Sequence, residues 1–541
     1  MPTNHPLSVI LLSMLASAAI PPASSAQAID QPASAAAAPT PELRGTWLTT
    51  TANDAISTPA NTARTMRRLR EIGLNTVYVE CWKNGYTQYP SKVLERVIGV
   101  DRRPNLMPQD PSDTPESLRS PPRDLLAETL AAAHASGLVY IAWFEYGFMA
   151  AHKDTDNHLR RMKPEWLSRN LKGDTVAPNG FVWMNPLHPD CRRFLTDLVL
   201  EAVDRYDLDG VQLDDRIVWP HVTMGYDEFT RAAYAAEHNG RQPPDDHTDP
   251  AWIRWRAEKI NEYARQFVAE LRAKRPGLII SLSPAVYPWC YENYCLEWPK
   301  WASWGPLQPP EASVGHAPTT TPEPARTLYD WDEFIPQNYR FSYDAFEKTW
   351  LDQLRWWRDF APDRSVRGLI PGIRLVGDGA DSTWDQLRRS ILLARDLGNG
   401  GHVLWFSRGV LDVFADQLTE FYNARNLGPA PNPHFPADWR PGVIRLARDP
   451  DAPSPGEGLA IYHAPANQTF EHGNYLQLRL HPDGSWTHAT SPILPFSIEL
   501  TPDSAVTAID TGDTAWFIID RRRELSHAHA GSSRRTRTDL K

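Results

Sequence analysis

The sequence predicts an α/β protein, a (β/α)8 TIM barrel followed by a small C-terminal all-β domain. Three observations carry this expectation. Eight short β-branched or aromatic runs follow one another from Leu43; helix-periodic segments separate them; and near Gly428 the texture changes to short alternating runs broken by turn residues.

In chain order, Leu7 to Ile20 is an apolar run too short to span a bilayer comfortably, and Ala26-Gln27-Ala28 follows as a small-residue cleavage pattern. Residues 1–28 therefore read as a signal peptide and 29–41 as a flexible spacer, which places the mature chain in the cell envelope or outside the cell. The strand candidates are 43–50, 76–82, 139–146, 210–216, 278–287, 333–340, 368–376 and 402–409. Segments such as TARTMRRLREIG, RDLLAETLAAAHASG and CRRFLTDLVLEAVDRYD repeat apolar residues every three to four positions and end near Gly or Asp just before the next strand. Strict alternation of strand and helix is the pattern of parallel βαβ crossovers. The rival, a doubly wound open sheet, normally shows a Gly-rich phosphate loop after its first strand, and TTTANDAISTPAN is not one. Pro-rich inserts at 101–124 and 298–326 follow the second and fifth strands, on the side where barrel enzymes build their sites. The barrel is bounded at 42–428, a β-sandwich-like domain at 429–522, and a polar, disordered tail at 523–541.

Composition narrows the function. Among 541 residues, 56 Lys+Arg face 66 Asp+Glu, a net charge of −10 that argues against a basic nucleic-acid binder. With 41% hydrophobic and 23% charged residues the chain is neither wholly disordered nor a multi-pass membrane protein, and no stretch after the leader is long enough to insert stably. The 21 Trp exceed what a core needs, and an indole face suits a sugar ring. Of four cysteines, Cys290 and Cys295 could bridge a loop in an oxidising compartment. No second pair of ligands stands near them for zinc, no DxDxDG or HExxH motif occurs, and neither metal nor cofactor is expected.

The carboxyl ends of the strands are rich in acids and aromatics. Glu80 and Trp82 end the second strand, Trp143 and Glu145 the third, Asp214 and Asp215 the fourth; Gln337 and Tyr339 close the sixth and Trp405 the eighth. Glycoside hydrolysis needs one carboxylic acid to protonate the leaving oxygen and a second carboxylate as nucleophile or base. In GVQLDDR the strand period of two puts Gln212 and Asp214 on one face, so Asp214 points into the barrel while Asp215 turns toward a strand edge, where it can orient Arg216. The same period pairs Trp143 with Glu145 and Glu80 with Trp82. The assignment is Asp214 as nucleophile or base, Glu145 as proton donor and Asp215 as a supporting acid; Glu80, Trp82, Trp143, Asn185, Gln337, Tyr339, Trp405 and Arg44 bind the glycan. The alternative role of Glu145 is a buried ion-pair partner, for instance to Arg44, and the default role of His188 in NPLHPD is local.

RGTWLTT, GLNTVYVECWKNGYTQYPS, SGLVYIAWFEYGF, WMNPLHPDCRRFLTDLVLEAVDRYDLDGVQLDD, PQNYR and GHVLWFSRG resemble the glycosyl-hydrolase-like family 10 proteins. The resemblance runs from about Leu43 to Gly409 and implies a TIM-barrel glycoside hydrolase of bacterial envelopes or secretions, some members acting on peptidoglycan glycan strands stripped of peptide. GVQLD is also similar to the α-amylase-type strand whose Asp is the nucleophile, which supports Asp214. Glu145 stands where many members carry Asn, and Glu80 where Gln is frequent. Two rival functions are a non-catalytic carbohydrate-binding protein on a barrel scaffold and an ester or amide hydrolase; the latter lacks a G-x-S-x-G elbow.

Overall fold

In the computed structural model, the described residues are 40–106, 123–206, 208–306, 329–423 and 430–435, with four isolated strands beyond them. All eight expected barrel strands form: β1 (Leu43–Leu48), β2 (Thr76–Glu80), β3 (Val139–Phe144), β4 (Gly210–Asp214), β5 (Ile279–Ser283), β6 (Glu333–Phe334), β7 (Gly372–Arg374) and β8 (Gly401–Trp405). They pair in parallel in the order β6-β5-β4-β3-β2-β1-β8-β7. Parallel bridges Phe334 to Leu369 and Gln337 to Gly372 join the two ends, so the sheet closes. Closure removes both edges, and the shortness of β6 and β7 explains why the closing contact is made by single bridges.

The interior is a packed core dominated by aromatic side chains from alternate positions. Tyr78 on β2 donates through its hydroxyl to Glu333 on β6 at 2.9 Å. Above it the Trp47 indole N–H donates to Gln212 Oε1 at 2.7 Å, and Gln212 donates to Ser281 Oγ at 2.9 Å. Trp143 and Trp405 form the uppermost layer with ring centroids 6.0 Å apart. Gln212, with Asp214 two residues on, does face inward as the strand period requires.

Helices α1 (Pro59–Ile72), α2 (Leu125–Ala135), α3 (Pro189–Arg205) and α4 (Pro250–Lys274) follow the first four strands. Their starts are written in the sequence. Thr58 accepts from Asn61 N and Asp249 from Ala251 N and Trp252 N, each before a proline at the first helical turn. His188 is likewise an N-cap, its ring accepting from Asp190 N at the start of α3, the local role expected for it. After β5 come two short helices, α5 (Trp289–Tyr294) and α6 (Trp298–Ala302); α7 (Tyr343–Phe360), α8 (Trp384–Asp396) and α9 (Ala415–Asn423) follow β6, β7 and β8. No helix among the described residues is long and apolar enough to cross a membrane.

Residues 430–435 cross the amino-terminal end of the barrel. Glu42 N donates to the Pro431 carbonyl at 3.0 Å, Asn75 Nδ2 to that of Ala430 at 2.9 Å and Asn432 Nδ2 to Thr76 Oγ1 at 2.8 Å, while the His434 ring meets Glu333 at 2.6 Å. Farther along, Trp486–His488, Tyr475–Leu480, Ala515–Asp520 and Val506–Asp510 form one four-stranded antiparallel sheet in that order, the all-β texture expected there. Three more runs expected as strands, 442–448, 458–463 and 496–501, lie outside the described residues, as do the leader, most of the spacer, much of both Pro-rich inserts and the tail. Cys290 and Cys295 are free buried thiols, the Cys290 Sγ–H donating to the Leu296 carbonyl at 3.4 Å instead of bridging.

Candidate active site

Four carboxyl groups and two cations meet at the carboxyl mouth. Glu80 ends β2, Glu145 follows β3, and Asp214 and Asp215 straddle the end of β4. Lys83 and Arg216 are threaded between them. Lys83 Nζ lies 2.7 Å from Glu80 Oε2 and 3.1 Å from Glu145 Oε2. The Arg216 guanidinium contacts the Asp214 carboxylate, reaches Asp215 Oδ1 at 3.2 Å and Glu145 Oε1 at 3.9 Å, and donates to the Glu145 carbonyl at 3.2 Å. One guanidinium thus touches both Asp214 and Glu145, close enough to flank a single glycosidic bond, for which glycosidases use separations of roughly 5 to 9.5 Å.

Local backbone places both cations. After β2 the strand Trp82–Lys83 pairs antiparallel with Tyr86–Thr87 through a two-residue turn, Asn84 and Gly85, with φ of 50° and 77°. Asn-Gly is the preferred pair where both turn residues need positive φ, and the hairpin folds Lys83 back over Glu80. A Cβ at Gly85 would stand 2.6 Å from Asn157 Nδ2, so only glycine fits. After β3, Gly147 at φ 45° brings the backbone against Arg216, where a Cβ would meet the Arg216 carbonyl oxygen at 2.5 Å. Phe148 N then donates to that carbonyl at 2.9 Å, locking the ends of β3 and β4 together.

Four acids against two cations leave excess negative charge in a nearly dry site, which raises some members and depresses others. Burial pushes the Asp214 carboxyl well above its ordinary range, with Asp215 and Glu145 adding to the effect and Arg216 opposing it. Burial and Glu145 also raise Asp215. Glu80 is raised by burial and by Glu145, against Lys83. Glu145 moves the other way: burial pushes it up, but Lys83 and Arg216 together outweigh burial and hold it below the usual carboxylate value. Asp214 and Glu145 are therefore shifted in opposite directions, Asp214 up and Glu145 down. These directions run against the roles expected from the sequence, because Lys83, which no strand period predicts, and Arg216 both lie on Glu145.

Gln337 and Tyr339 join the site as expected. Gln337 Nε2 donates to Asp214 Oδ1 at 2.7 Å and to the Ser283 carbonyl at 3.1 Å. Tyr339 stacks on Trp405 at 5.6 Å, with its hydroxyl pushed well up by burial and by Asp214 and Asp215. Asp215 lies within ion-pair distance of Arg216, its Oδ1 3.2 Å away, without forming a hydrogen bond to it. Trp143 shares the inward face with Glu145 but is 1% exposed, so it floors the pocket beneath the partly exposed Trp405.

Three expected binders lie elsewhere. Trp82 is fully buried, its indole N–H donating to the Gly147 carbonyl at 3.0 Å and its ring set against Phe194 of α3; β2 ends at Glu80, so the period of two does not carry through to Trp82. Asn185 spends its side chain on Asp227, Thr230 and Leu187 N, fastening the start of the helix Glu228–Glu237. Arg44 lies near the amino end of β1, bonded to Glu42 at 2.8 Å and lying over Tyr422 at 4.4 Å, at the end of the barrel opposite the acids. The ion-pair partners of Glu145 are Lys83 and Arg216, not Arg44. Besides Lys83, the sequence reading missed Thr50, whose backbone N–H and hydroxyl both donate to Glu80. It also missed Tyr294 and the half-exposed Trp289 of α5, ring centroids 5.5 Å apart; Tyr294 feels the charges of Asp215 and Arg216. The turn Asn84-Gly85 was the signal available for Lys83.

Glycosyl hydrolase YngK of Bacillus subtilis (strain 168) is 24% identical over 262 residues, 45% of each chain. Glycosyl hydrolase DigH of Escherichia coli (strain K12) is 23% identical over 270 residues, 45% of this chain and 55% of that one. The chain spans about half the length of the curated relatives it matches. Among solved structures, the PgaB (BpsB) glycoside hydrolase domain from Bordetella bronchiseptica aligns with 70% of this chain and 98% of its own at 13% identity and a TM-score of 0.46. Residues 42–308, which carry Glu80, Lys83, Glu145, Asp214, Asp215 and Arg216, match the family described as Glycosyl hydrolase-like 10.

Proposed function

We propose that the protein is an exported glycoside hydrolase that cleaves O-glycosidic bonds of a polysaccharide or of a peptidoglycan glycan strand. The observation that carries this reading is the pair Asp214 and Glu145, held around one guanidinium at the carboxyl mouth of a closed barrel. Asp214 holds the proton that the leaving oxygen needs; Glu145, kept ionised by Lys83, is the nucleophile or the base that activates water. Asp215 holds Arg216 in place, Gln337 fixes the Asp214 carboxyl, and Tyr339 and Trp405 offer a stacked aromatic face to a sugar. The leader read at 1–28 and the carbohydrate-directed names of the relatives support export and a glycan substrate.

The test is reducing-end release from peptide-free peptidoglycan strands and from a panel of neutral and acidic polysaccharides. Release by the unsubstituted protein, lost by about 10²-fold or more in Asp214→Asn and Glu145→Gln, is expected. Aryl glycosides with a good leaving group separate the roles, because they need little protonation: Asp214→Asn retains them and Glu145→Gln does not. Retention in Glu145→Gln alone reverses the roles. Binding without release on any glycan makes the protein a carbohydrate-binding barrel.

A further inference from the structure

At the carboxyl end of β7 a buried arginine carries a charge that no carboxylate among the described residues answers. Arg374 is 6% exposed. Among the described residues its guanidinium makes one hydrogen bond, from Nη2 to the Asp378 carbonyl at 2.7 Å, and its other terminal nitrogen, Nη1, is buried with no hydrogen-bond partner. Lys83 and Arg216 spend their charge on the acids; Arg374 does not. A buried guanidinium nitrogen with no acceptor is an unmet donor on a charged group, which an anion would satisfy.

Its position ties it to the site. A Cβ at Gly372 would meet the Trp47 ring at 3.3 Å, so that side of β7 faces the barrel interior, and Arg374 two residues on shares the face. Arg374 pairs with Trp405, whose ring stacks on Tyr339 beside Asp214. The segments after the seventh and eighth strands are also where barrel enzymes often hold anionic groups. Over the guanidinium, at 4.4 Å, lies the ring of Phe341, which is 67% exposed. It is a cover that can swing off, since exposed side chains change rotamer within nanoseconds.

We propose that Arg374 receives a carboxylate carried by the glycan, so that the site selects acidic sugars over neutral ones. This rests on the glycoside hydrolase reading for its ligand class. A carboxylate matches the planar guanidinium fork and supplies the acceptor that Nη1 lacks. Uronic acids and ether-linked lactyl groups present the same chemistry, and the substrate panel separates them.

The experiment measures binding by the full chain carrying Asp214→Asn, which blocks turnover, to peptide-free peptidoglycan strands and to a polyuronate, each beside its own carboxyl-reduced form. The expected result is roughly tenfold or greater preference for one carboxylated glycan over its reduced form, the size of one charge-assisted contact. Adding Arg374→Met abolishes that preference, and Arg374→Lys keeps part of it, with melting temperatures recorded for each. Equal affinity for both forms, no binding to any of the four glycans, or a preference that survives Arg374→Met overturns the proposal. Should Arg374→Met fail to fold, the comparison of the two forms on the Asp214→Asn chain still decides. Hydrolysis by the unsubstituted protein without a carboxylate preference overturns this site and leaves the hydrolase standing. A carboxylate preference without hydrolysis does the opposite.

Discussion

Lys83 decides which carboxyl keeps its charge. Its ammonium lies between Glu80 and Glu145 and is itself held protonated by them. Replacing it with Met removes one of the two cations that together outweigh burial at Glu145, so the Glu145 carboxyl rises. The ionised form then persists only at higher pH, and the acid limb of the pH–rate profile moves upward by about a unit or more, while Lys83→Arg leaves it near its place. A limb that stays put in Lys83→Met would show that Glu145 does not set it. His402 illustrates burial outweighing a nearby opposite charge. It is fully enclosed on β8, its ring 2.6 Å from the Tyr422 hydroxyl, and its pKa falls to about 3 because burial and the nearby Arg395 and Arg44 oppose a positive ring more than Glu42 favours it. A depressed histidine is neutral in the fold but charges in the unfolded chain below about 6.5, so its stabilising effect is present above that pH and is lost as pH falls from 6.5 toward 3. Denaturant titrations at pH 7 and pH 4 should show stability dropping by up to about 1.4 kcal/mol per pH unit from this group, with a shallower drop in His402→Gln.

Among the elements, the short hairpin after β2 has an influence out of proportion to its length. Its turn must place Asn84 and Gly85 at positive φ, and Gly85 also packs against Asn157, which donates to the Asn84 carbonyl at 2.7 Å. Gly85→Val should cost about 1–3 kcal/mol in chemical denaturation, from backbone strain and the clash with Asn157. It should also lower activity by more than the stability loss explains, since the hairpin aims Lys83. Recovery of activity at a temperature where the variant is fully folded would refute that second part. The same hairpin shows where periodicity stops being informative. Glu80 and Trp82 read as one face, yet the strand ends between them and the hairpin turns Trp82 toward α3.

For the molecule as a whole, closure of the barrel concentrates function at one end and tethering at the other. Acids gather at the carboxyl mouth, whereas 430–435 is bonded across the amino end by Ala430, Pro431, Asn432 and His434. A chain shortened to end after residue 423 loses these bonds and leaves Glu333 with Tyr78 alone among these partners. Its melting temperature should fall by several degrees relative to a chain ending after 435, in keeping with the four hydrogen bonds lost. Equal melting temperatures would mean that the strap adds nothing.

The residues themselves determined the eight strands, the parallel alternation with helices, the local role of His188 and the inward direction of Asp214, because each depends on neighbours within a few positions and on a period of 2 or 3.6. The presence of Glu80, Glu145, Asp214 and Asp215 at strand ends was legible for the same reason. Only the tertiary structure decided that Lys83 rather than Arg44 faces Glu145, that Asn185 and Trp82 serve the scaffold, and that the Asp214 carboxyl is pushed up while that of Glu145 is held down. Those outcomes turn on burial and on charges brought together from the ends of three barrel strands, and a desolvated charge responds to every neighbour in space, whatever its distance along the chain.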